Sequence, residues 1–140
     1  MKVILVEPKK EAIEAEIDGS LSGMQKIVGG FIQAVYPFHD AVVLICNEEG
    51  KLHGLPLNRA LKDEDGNVTD LIAGSFFICG VDGDGFCSLA PKLASKYKEM
   101  FFEPELFPRI AGRLLAVKVS AEYLASPERP KVAAKSEVER

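Results

Sequence analysis

Apolar and polar positions along the chain predict several short strands and two helices. Residues 2–7 are rich in Val, Ile and Leu and predict a first strand. Residues 12–17 alternate apolar with acidic side chains, which is the period of a half-exposed strand. Together they predict an N-terminal hairpin with an acidic outer face. Further extended segments are predicted at residues 31–36, 41–46, 51–55, 68–72, 75–80 and 114–119. The segment at 41–46 is the most continuous apolar run, and it predicts a central strand that is buried on both faces.

The two predicted helices have recognisable ends. The first begins after Ser20, a residue type that caps helix N-termini, and ends at Gly29, since glycine readily adopts the left-handed conformation. The second covers residues 89–102, with Ser88 as its N-cap. Between them, residues 57–61 are compatible with one helical turn or an irregular loop. Gly50 is expected to supply a positive φ in the reverse turn before that segment.

Strands outnumber helices, and the helices do not alternate with each strand. This order predicts an α+β fold, with a mostly antiparallel twisted sheet and two helices packed on one side. Parallel winding and a small barrel remain open alternatives. Residues 1–120 are predicted to form a single globular domain, and the polar residues 121–140 a mobile tail. Helices on one side leave the other sheet face partly open, which is compatible with a homodimer.

Composition excludes several classes of function. The 140 residues carry a net charge of −4, which argues against direct nucleic-acid binding because that needs clustered Lys and Arg. No apolar run approaches the roughly 20 residues of a membrane span, and the N-terminal run is too short for a signal peptide. The three cysteines are odd in number and form no CxxC motif, which favours reduced thiols in a cytoplasmic protein.

The polar pair Asn58–Arg59, among apolar residues, is the strongest candidate for a binding site. An arginine can direct two hydrogen bonds at a carboxylate or phosphate, and an asparagine can donate and accept at once. His53 precedes the pair, and Tyr36 offers an aromatic side chain for one wall, as does Phe38. The predicted ligand-binding residues are therefore Asn58, Arg59, His53 and Tyr36. In the structural alternative, Asn58 caps a turn, Arg59 pairs with a nearby acid, and the aromatic residues lie in the core.

Metal and catalytic motifs are weak. The Asp82–Gly83–Asp84–Gly85 segment resembles the start of an EF-hand, but Phe86 and Leu93 stand where calcium ligands are required. His39 and His53 are the only histidines, and no metal-ligand spacing or adjacent nucleophile accompanies either. No metal, cofactor or catalytic residue is therefore predicted.

Five segments of the chain carry a family resemblance: Lys2–Pro8, Ile27–Ile32, Ala34–Phe38, Asn47–Ala60 and Ile72–Ile78. Together they resemble one uncharacterised domain-of-unknown-function family, which is frequent in phages, plasmids and integrated elements and in their bacterial hosts. The resemblance covers roughly residues 1–120, and the order of its motifs is specific. It implies a phage or mobile-element setting but no established activity, so no functional residue is carried over from it.

Three functions are compatible with these observations. The first is a non-catalytic binding protein that holds a small anionic ligand or a host protein near Asn58 and Arg59. The second is an inhibitor of a host defence or restriction protein, acting through the acidic surface of Glu14, Glu16 and residues 63–65. The third is a hydrolase of unknown substrate that uses His39 or His53. An enzyme is the least favoured of the three, because no nucleophile accompanies either histidine.

Overall fold

A computed structural model describes residues 1–125 of the chain, and its centre is an antiparallel sheet of six strands. Along the chain the elements are β1 (Lys2–Val6), β2 (Ile13–Glu16), α1 (Leu21–Val28), β3 (Ile32–Val35), β4 (Val42–Asn47), β5 (Leu57–Lys62), β6 (Val68–Ala73), β7 (Phe76–Asp82), β8 (Gly85–Cys87), α2 (Pro91–Met100), β9 (Glu105–Leu106), β10 (Arg109–Ile110), β11 (Arg113–Leu114), β12 (Val117–Lys118) and α3 (Ala121–Ala125). The strand order is β2-β1-β7-β4-β3, and β8 also pairs with β7. The predicted α+β class with a mostly antiparallel sheet is confirmed.

The two longer helices lie on opposite faces of this sheet, so the prediction that both pack on one side is wrong. Leu44 and Ile78 belong to the cluster that contains the α2 residue Tyr97. Their strand neighbours Val43 and Phe77 belong to the cluster that contains Met24 and Val28 of α1. The physical reason is that the central strands are apolar at consecutive positions, and because side chains alternate between faces, both faces must be covered. All six residues of β4 are buried, as predicted.

The first helix has the predicted caps, whereas the second begins differently. The Ser20 hydroxyl accepts a hydrogen bond from the Gly23 N–H at 3.0 Å, and Gly29 adopts a left-handed conformation with φ 79°. In α2 the N-cap is Ala90. The Ser88 hydroxyl instead accepts a hydrogen bond from the Lys2 N–H at 2.8 Å and so supports β1.

The segment between β4 and β6 departs most from the sequence prediction. Residues 51–54 form a turn rather than a strand, and the 57–61 segment belongs to β5, which pairs with β6 in a separate two-stranded ribbon. Gly50 has no positive φ. A Cβ at Gly50 would lie 2.7 Å from the Ala73 carbonyl oxygen, so glycine is needed there for a close backbone approach.

The C-terminal part has smaller elements than predicted. Instead of one strand at 114–119, two short ladders form, β9 with β12 and β10 with β11. Of the predicted mobile tail only α3 is described, and residues 126–140 lie outside the described part of the chain. No helix within residues 1–125 has the length and apolar character that crossing a membrane requires.

Candidate functional site

The Asn58–Arg59 pair does not face outward. Both residues are 0 % exposed, and Arg59 is among the largest fully buried side chains. Their polar groups are therefore not exposed to a ligand at the surface, whereas the predicted binding site requires such exposure. The apolar side chains of the β5–β6 ribbon pack onto the α2 face of the sheet, as Leu61 and Ile72 do, and this packing takes the polar pair inside.

Arg59 makes five hydrogen bonds, which match the five N–H donors of a guanidinium. Nε and Nη2 donate to the Phe101 carbonyl oxygen at 3.2 and 3.0 Å, and Nη2 also donates to the Lys10 carbonyl oxygen at 2.6 Å. Nη1 donates to the Asn58 carbonyl and side-chain oxygens at 3.1 and 2.8 Å. Burial lowers the pKa of Arg59 to about 10, opposed by the negative charge of Glu105. The guanidinium therefore stays charged at neutral pH, held mainly by backbone carbonyls.

Asn58 connects the ribbon to the main sheet. Its side-chain amide donates to the carbonyl oxygens of Val6 and Gly74, both at 2.9 Å. Val6 ends β1, and Gly74 lies between β6 and β7. The pair thus joins β5 to β1, to the loop after β1 and to the C-terminal end of α2. The pair therefore has a structural role, but not in the form expected. Asn58 lies within β5 and does not cap a turn, and Arg59 bonds to carbonyl oxygens and to Asn58 with no side-chain carboxylate among its hydrogen-bond partners.

The other two predicted ligand-binding residues lie at the surface and away from this pair. Tyr36 follows β3 and is 62 % exposed. His53 lies in the 51–54 turn, with its Nε2 atom 3.9 Å from Glu49 Oε1. The four predicted residues therefore do not converge on one site.

A cleft of about 690 Å³ opens on the α2 side of the sheet, next to the buried pair. Its floor is aromatic, because the Phe38 ring lies 4.7 Å from the Tyr97 ring and 6.2 Å from the Phe101 ring, centroid to centroid. Its walls come from the β3–β4 turn, the end of the β5–β6 ribbon, α2, and the β9–β12 ladder. The polar and charged lining residues are His39, Lys62, Asp63, Glu64, Asp65, Lys96, Glu105 and Lys118.

One charge cluster fixes the β3–β4 turn to α2 beside this cleft. Asp40 Oδ2 accepts hydrogen bonds from Lys96 Nζ at 2.6 Å and from the Tyr97 hydroxyl at 2.7 Å. The hydrogen bond from Lys96, followed by that from Tyr97, lowers the pKa of Asp40 below its usual value of 3.8. Burial and the Asp40 carboxylate raise the pKa of Tyr97, so its hydroxyl remains a donor at neutral pH.

This cluster predicts a pH-dependent contribution to stability. Because the pKa of Asp40 is lower in the folded state, the contribution is present above 3.8 and is lost as the pH falls through and below that value. We expect wild type to be more stable than Asp40→Asn at pH 7, and the difference to shrink under acid. Urea denaturation of both proteins at pH 7 and pH 3 measures it, with the exposed Asp84→Asn as the control. An equal difference at both pH values would contradict the assignment.

Most charges around the cleft already have partners. The His39 Nε2 atom lies 3.4 Å from Glu64 Oε1 across the rim. Asp63 Oδ1 accepts the N–H groups of Asp65 and Asn67 within the β5–β6 turn. Glu105, which is 5 % exposed, accepts the Ala60 N–H at 3.0 Å. These contacts use acceptor atoms of the rim carboxylates within the protein, and the carboxylates keep their negative charge.

Two lysines that line the cleft form no ion pair within the described residues. Lys62 ends β5 and Lys118 ends β12, and both are exposed. Within residues 1–125, neither has a carboxylate at ion-pair distance, whereas Lys96 is held by Asp40. The cleft therefore combines an aromatic floor with two lysine side chains available to a ligand.

Sequence reasoning identified only part of this cleft. Phe38 was considered as an aromatic wall, and His39 as a candidate base. Lys62, Glu105 and Lys118 carried no local signal, because they come from three separate segments. Only the pairing of β9 with β12, in which Glu105 lies opposite Lys118, brings two of them together.

Metal and thiol chemistry find little support in the described residues. Residues 1–125 contain no group of three or more His, Cys, Asp or Glu side chains that could hold a metal ion. The Asp82–Gly85 segment forms the tight turn between β7 and β8. Burial raises the pKa of Cys46 to about 11 and that of Cys79 to about 12, so these thiols stay protonated and unreactive at neutral pH.

Comparison with known proteins gives a family but no activity. Residues 1–102 match the family model described as Domain of unknown function (DUF3846). The matched segment runs from β1 through α2, so it includes the buried pair and the aromatic floor of the cleft. No curated protein and no solved structure matches the chain.

Proposed function

This chain belongs to the family described as Domain of unknown function (DUF3846), and from that premise we propose that it is a non-catalytic binding protein for a small anionic ligand. The ligand occupies the cleft over Phe38, Tyr97 and Phe101. The proposed site is therefore the cleft and not the Asn58–Arg59 pair, whose polar groups form hydrogen bonds inside the protein. The observation that carries the proposal is the presence of Lys62 and Lys118 above an aromatic floor.

The size and floor of the cleft support a small molecule as the ligand. Its volume of about 690 Å³ lies within the roughly 300–1,000 Å³ of small-molecule sites. Met100 at the rim is 39 % exposed, so it adds adaptable apolar surface beside the rings. A planar apolar group can pack here, since aromatic side chains favour stacked or edge-on contacts.

Two lysines support an anionic group on that ligand. Asp40 is paired with Lys96, whereas Lys62 and Lys118 have no carboxylate at ion-pair distance within residues 1–125. Lys62 and Lys118 then provide two cationic ammonium groups, and a carboxylate or phosphate can accept hydrogen bonds from both. The combination favours a ligand with a ring at one end and an acid at the other.

The proposed role involves no turnover. His39, the histidine at the cleft, has a side chain that is 97 % exposed, and its Nε2 atom lies 3.4 Å from Glu64 Oε1. Water surrounds such a histidine, and among residues 1–125 no serine or cysteine lines the cleft beside it to act as its nucleophile.

The first test compares anionic ligands with their neutral counterparts. We propose isothermal titration with naphthoate against naphthamide, and with adenosine monophosphate against adenosine. The anionic member of a pair should bind about tenfold more tightly, because charge-assisted hydrogen bonds contribute roughly 1.5–3 kcal/mol. Replacing both lysines in a Lys62→Gln/Lys118→Gln variant should remove that preference.

The matched control is Lys26→Gln/Lys92→Gln, which changes the net charge equally at exposed positions outside the cleft. It should keep the preference for the anion. If both double variants reduce binding equally, the attraction is a property of net charge, and the cleft site is wrong. If no ligand of either pair binds, the proposal fails for this ligand class.

We further propose that the protein acts in the cytoplasm of a bacterium, as an accessory protein of a phage or mobile element. The resemblance of its motifs motivates the setting, and buried thiols at Cys46 and Cys79 support a reducing compartment.

A further inference from the structure

Within residues 1–125, strand β3 is an uncovered edge of the main sheet. In the described sheet it pairs only with β4, and it ends the strand order opposite β2. Proteins usually protect such edges with charges, and β2 carries Glu14 and Glu16. Residues 31–38, by contrast, contain no charged side chain. Phe31 and Tyr36, on either side of β3, are 69 % and 62 % exposed.

Backbone geometry identifies which groups of β3 are available. The Glu48 N–H donates to the Phe31 carbonyl oxygen at 2.9 Å, so the backbone polar groups of residue 31 point toward β4. In an antiparallel pair, the backbone N–H and C=O groups of successive residues point alternately toward and away from the partner strand. The backbone groups of Gln33 and Val35 therefore also point toward β4. The N–H and C=O groups of Ile32, Ala34 and Tyr36 therefore point away from the sheet.

We propose that β3 pairs antiparallel with β3 of a second copy of this chain, with Ala34 opposite Ala34 of that copy. The alternating direction of the backbone groups restricts the register. Only residues whose N–H and C=O groups point away from β4 can form hydrogen-bonded pairs with the second copy. In this register Ile32 lies opposite Tyr36 of the second copy. By the two-fold symmetry, Tyr36 lies opposite Ile32 of the second copy. The result is a closed dimer whose two sheets form one continuous sheet.

Side-chain chemistry favours a second copy as the occupant. Ile32 and Tyr36 lie on the same sheet face, since they are an even number of residues apart. Pairs of an aromatic and a β-branched residue stabilise antiparallel strands, and this register forms two of them. Pro37 follows Tyr36 and ends the strand. By the alternation, residue 37 is on the β4-facing side, so the missing N–H of proline removes no donor from the proposed contact. The edge is therefore complementary to itself.

Amide hydrogen exchange tests the pairing in the unaltered protein. The amides of Ile32, Ala34 and Tyr36 should be protected at high protein concentration and lose protection on dilution. The amides of Gln33 and Val35 should stay protected throughout, because they bond to β4. Fast exchange of the three outward amides at every concentration would overturn the proposal.

A charge swap tests the register. In Ala34→Lys or Ala34→Glu alone, like charges face each other at the two-fold axis, and the dissociation constant should rise about fivefold or more. A 1:1 mixture of the two variants should restore the dimer, because the charges are then opposite. Analytical ultracentrifugation at low salt measures both results, and circular dichroism checks that each variant is folded.

Glu14→Lys on the other edge is the matched control and should leave the dimer unchanged. A dimer that persists in both Ala34→Lys and Ala34→Glu would show that the contact lies elsewhere or in another register. A mixture of these two variants that stays monomeric would show the same. A wild-type chain that is monomeric at all concentrations would refute the pairing. None of these results depends on ligand binding in the cleft.

Discussion

Replacing Arg59 by methionine should lower the free energy of unfolding by about 3–5 kcal/mol, because a buried charged hydrogen-bonding group is removed while its partners remain. Methionine keeps an apolar stem of similar length but donates no hydrogen bond. The carbonyl oxygens of Lys10 and Phe101, which accept from the guanidinium at 2.6 and 3.0 Å, lose those donors. Each buried acceptor left unsatisfied costs about 1–3 kcal/mol.

Urea denaturation followed by circular dichroism measures this loss. The matched control is Arg113→Met on β11, where the arginine is exposed and the change should stay within about 0.5 kcal/mol. Arg59→Lys should recover only a small part of the stability, because one ammonium cannot reproduce the planar arrangement of five donors. A loss below about 1 kcal/mol for Arg59→Met would show that these contacts do not hold the fold.

Replacing Asn58 by leucine should cost about 2–4 kcal/mol. The two side chains have similar shapes, so the loss is chiefly that of hydrogen bonds. The carbonyl oxygens of Val6 and Gly74 lose a donor at 2.9 Å, and Arg59 Nη1 loses the Asn58 Oδ1 acceptor at 2.8 Å. The exposed Asn67→Leu is the matched control and should change stability by about 0.5 kcal/mol or less.

A double-mutant cycle then measures the coupling within the pair. Because Asn58 and Arg59 share a hydrogen bond, Asn58→Leu and Arg59→Met together should cost less than the sum of the single losses, by about 0.5–3 kcal/mol. Strictly additive losses would mean that the two residues act independently. Either outcome leaves the ligand proposal untouched, since neither residue lines the cleft.

Elements with a local physical cause could be predicted from the sequence. The N-terminal hairpin follows from the alternation at 12–17, and α1 follows from Ser20 and Gly29. The β5 strand could not be predicted in this way. Its second and third residues, Asn58 and Arg59, are polar but fully buried, so the apolar pattern that indicates a strand is interrupted there.

The candidate site was predictable to a smaller extent. The sequence marks Asn58 and Arg59 as unusual. In the structure they make seven hydrogen bonds, to each other and to the backbone carbonyl oxygens of Val6, Lys10, Gly74 and Phe101. Tyr36, predicted as a wall of that site, lies exposed beside the uncharged edge of β3. The cleft combines segments that are distant in the chain, and no spacing rule connects Lys62 with Lys118.

Local patterns in the chain predict the class of fold, the central strand and the ends of α1, because periodicity and capping residues are read over a few neighbouring positions. Tertiary packing places the helices on opposite faces, the polar pair inside and the cleft beside α2. Neighbouring residues do not specify these features, since burial depends on which distant segments pack together. A guanidinium can satisfy backbone carbonyls as well as it can bind a ligand.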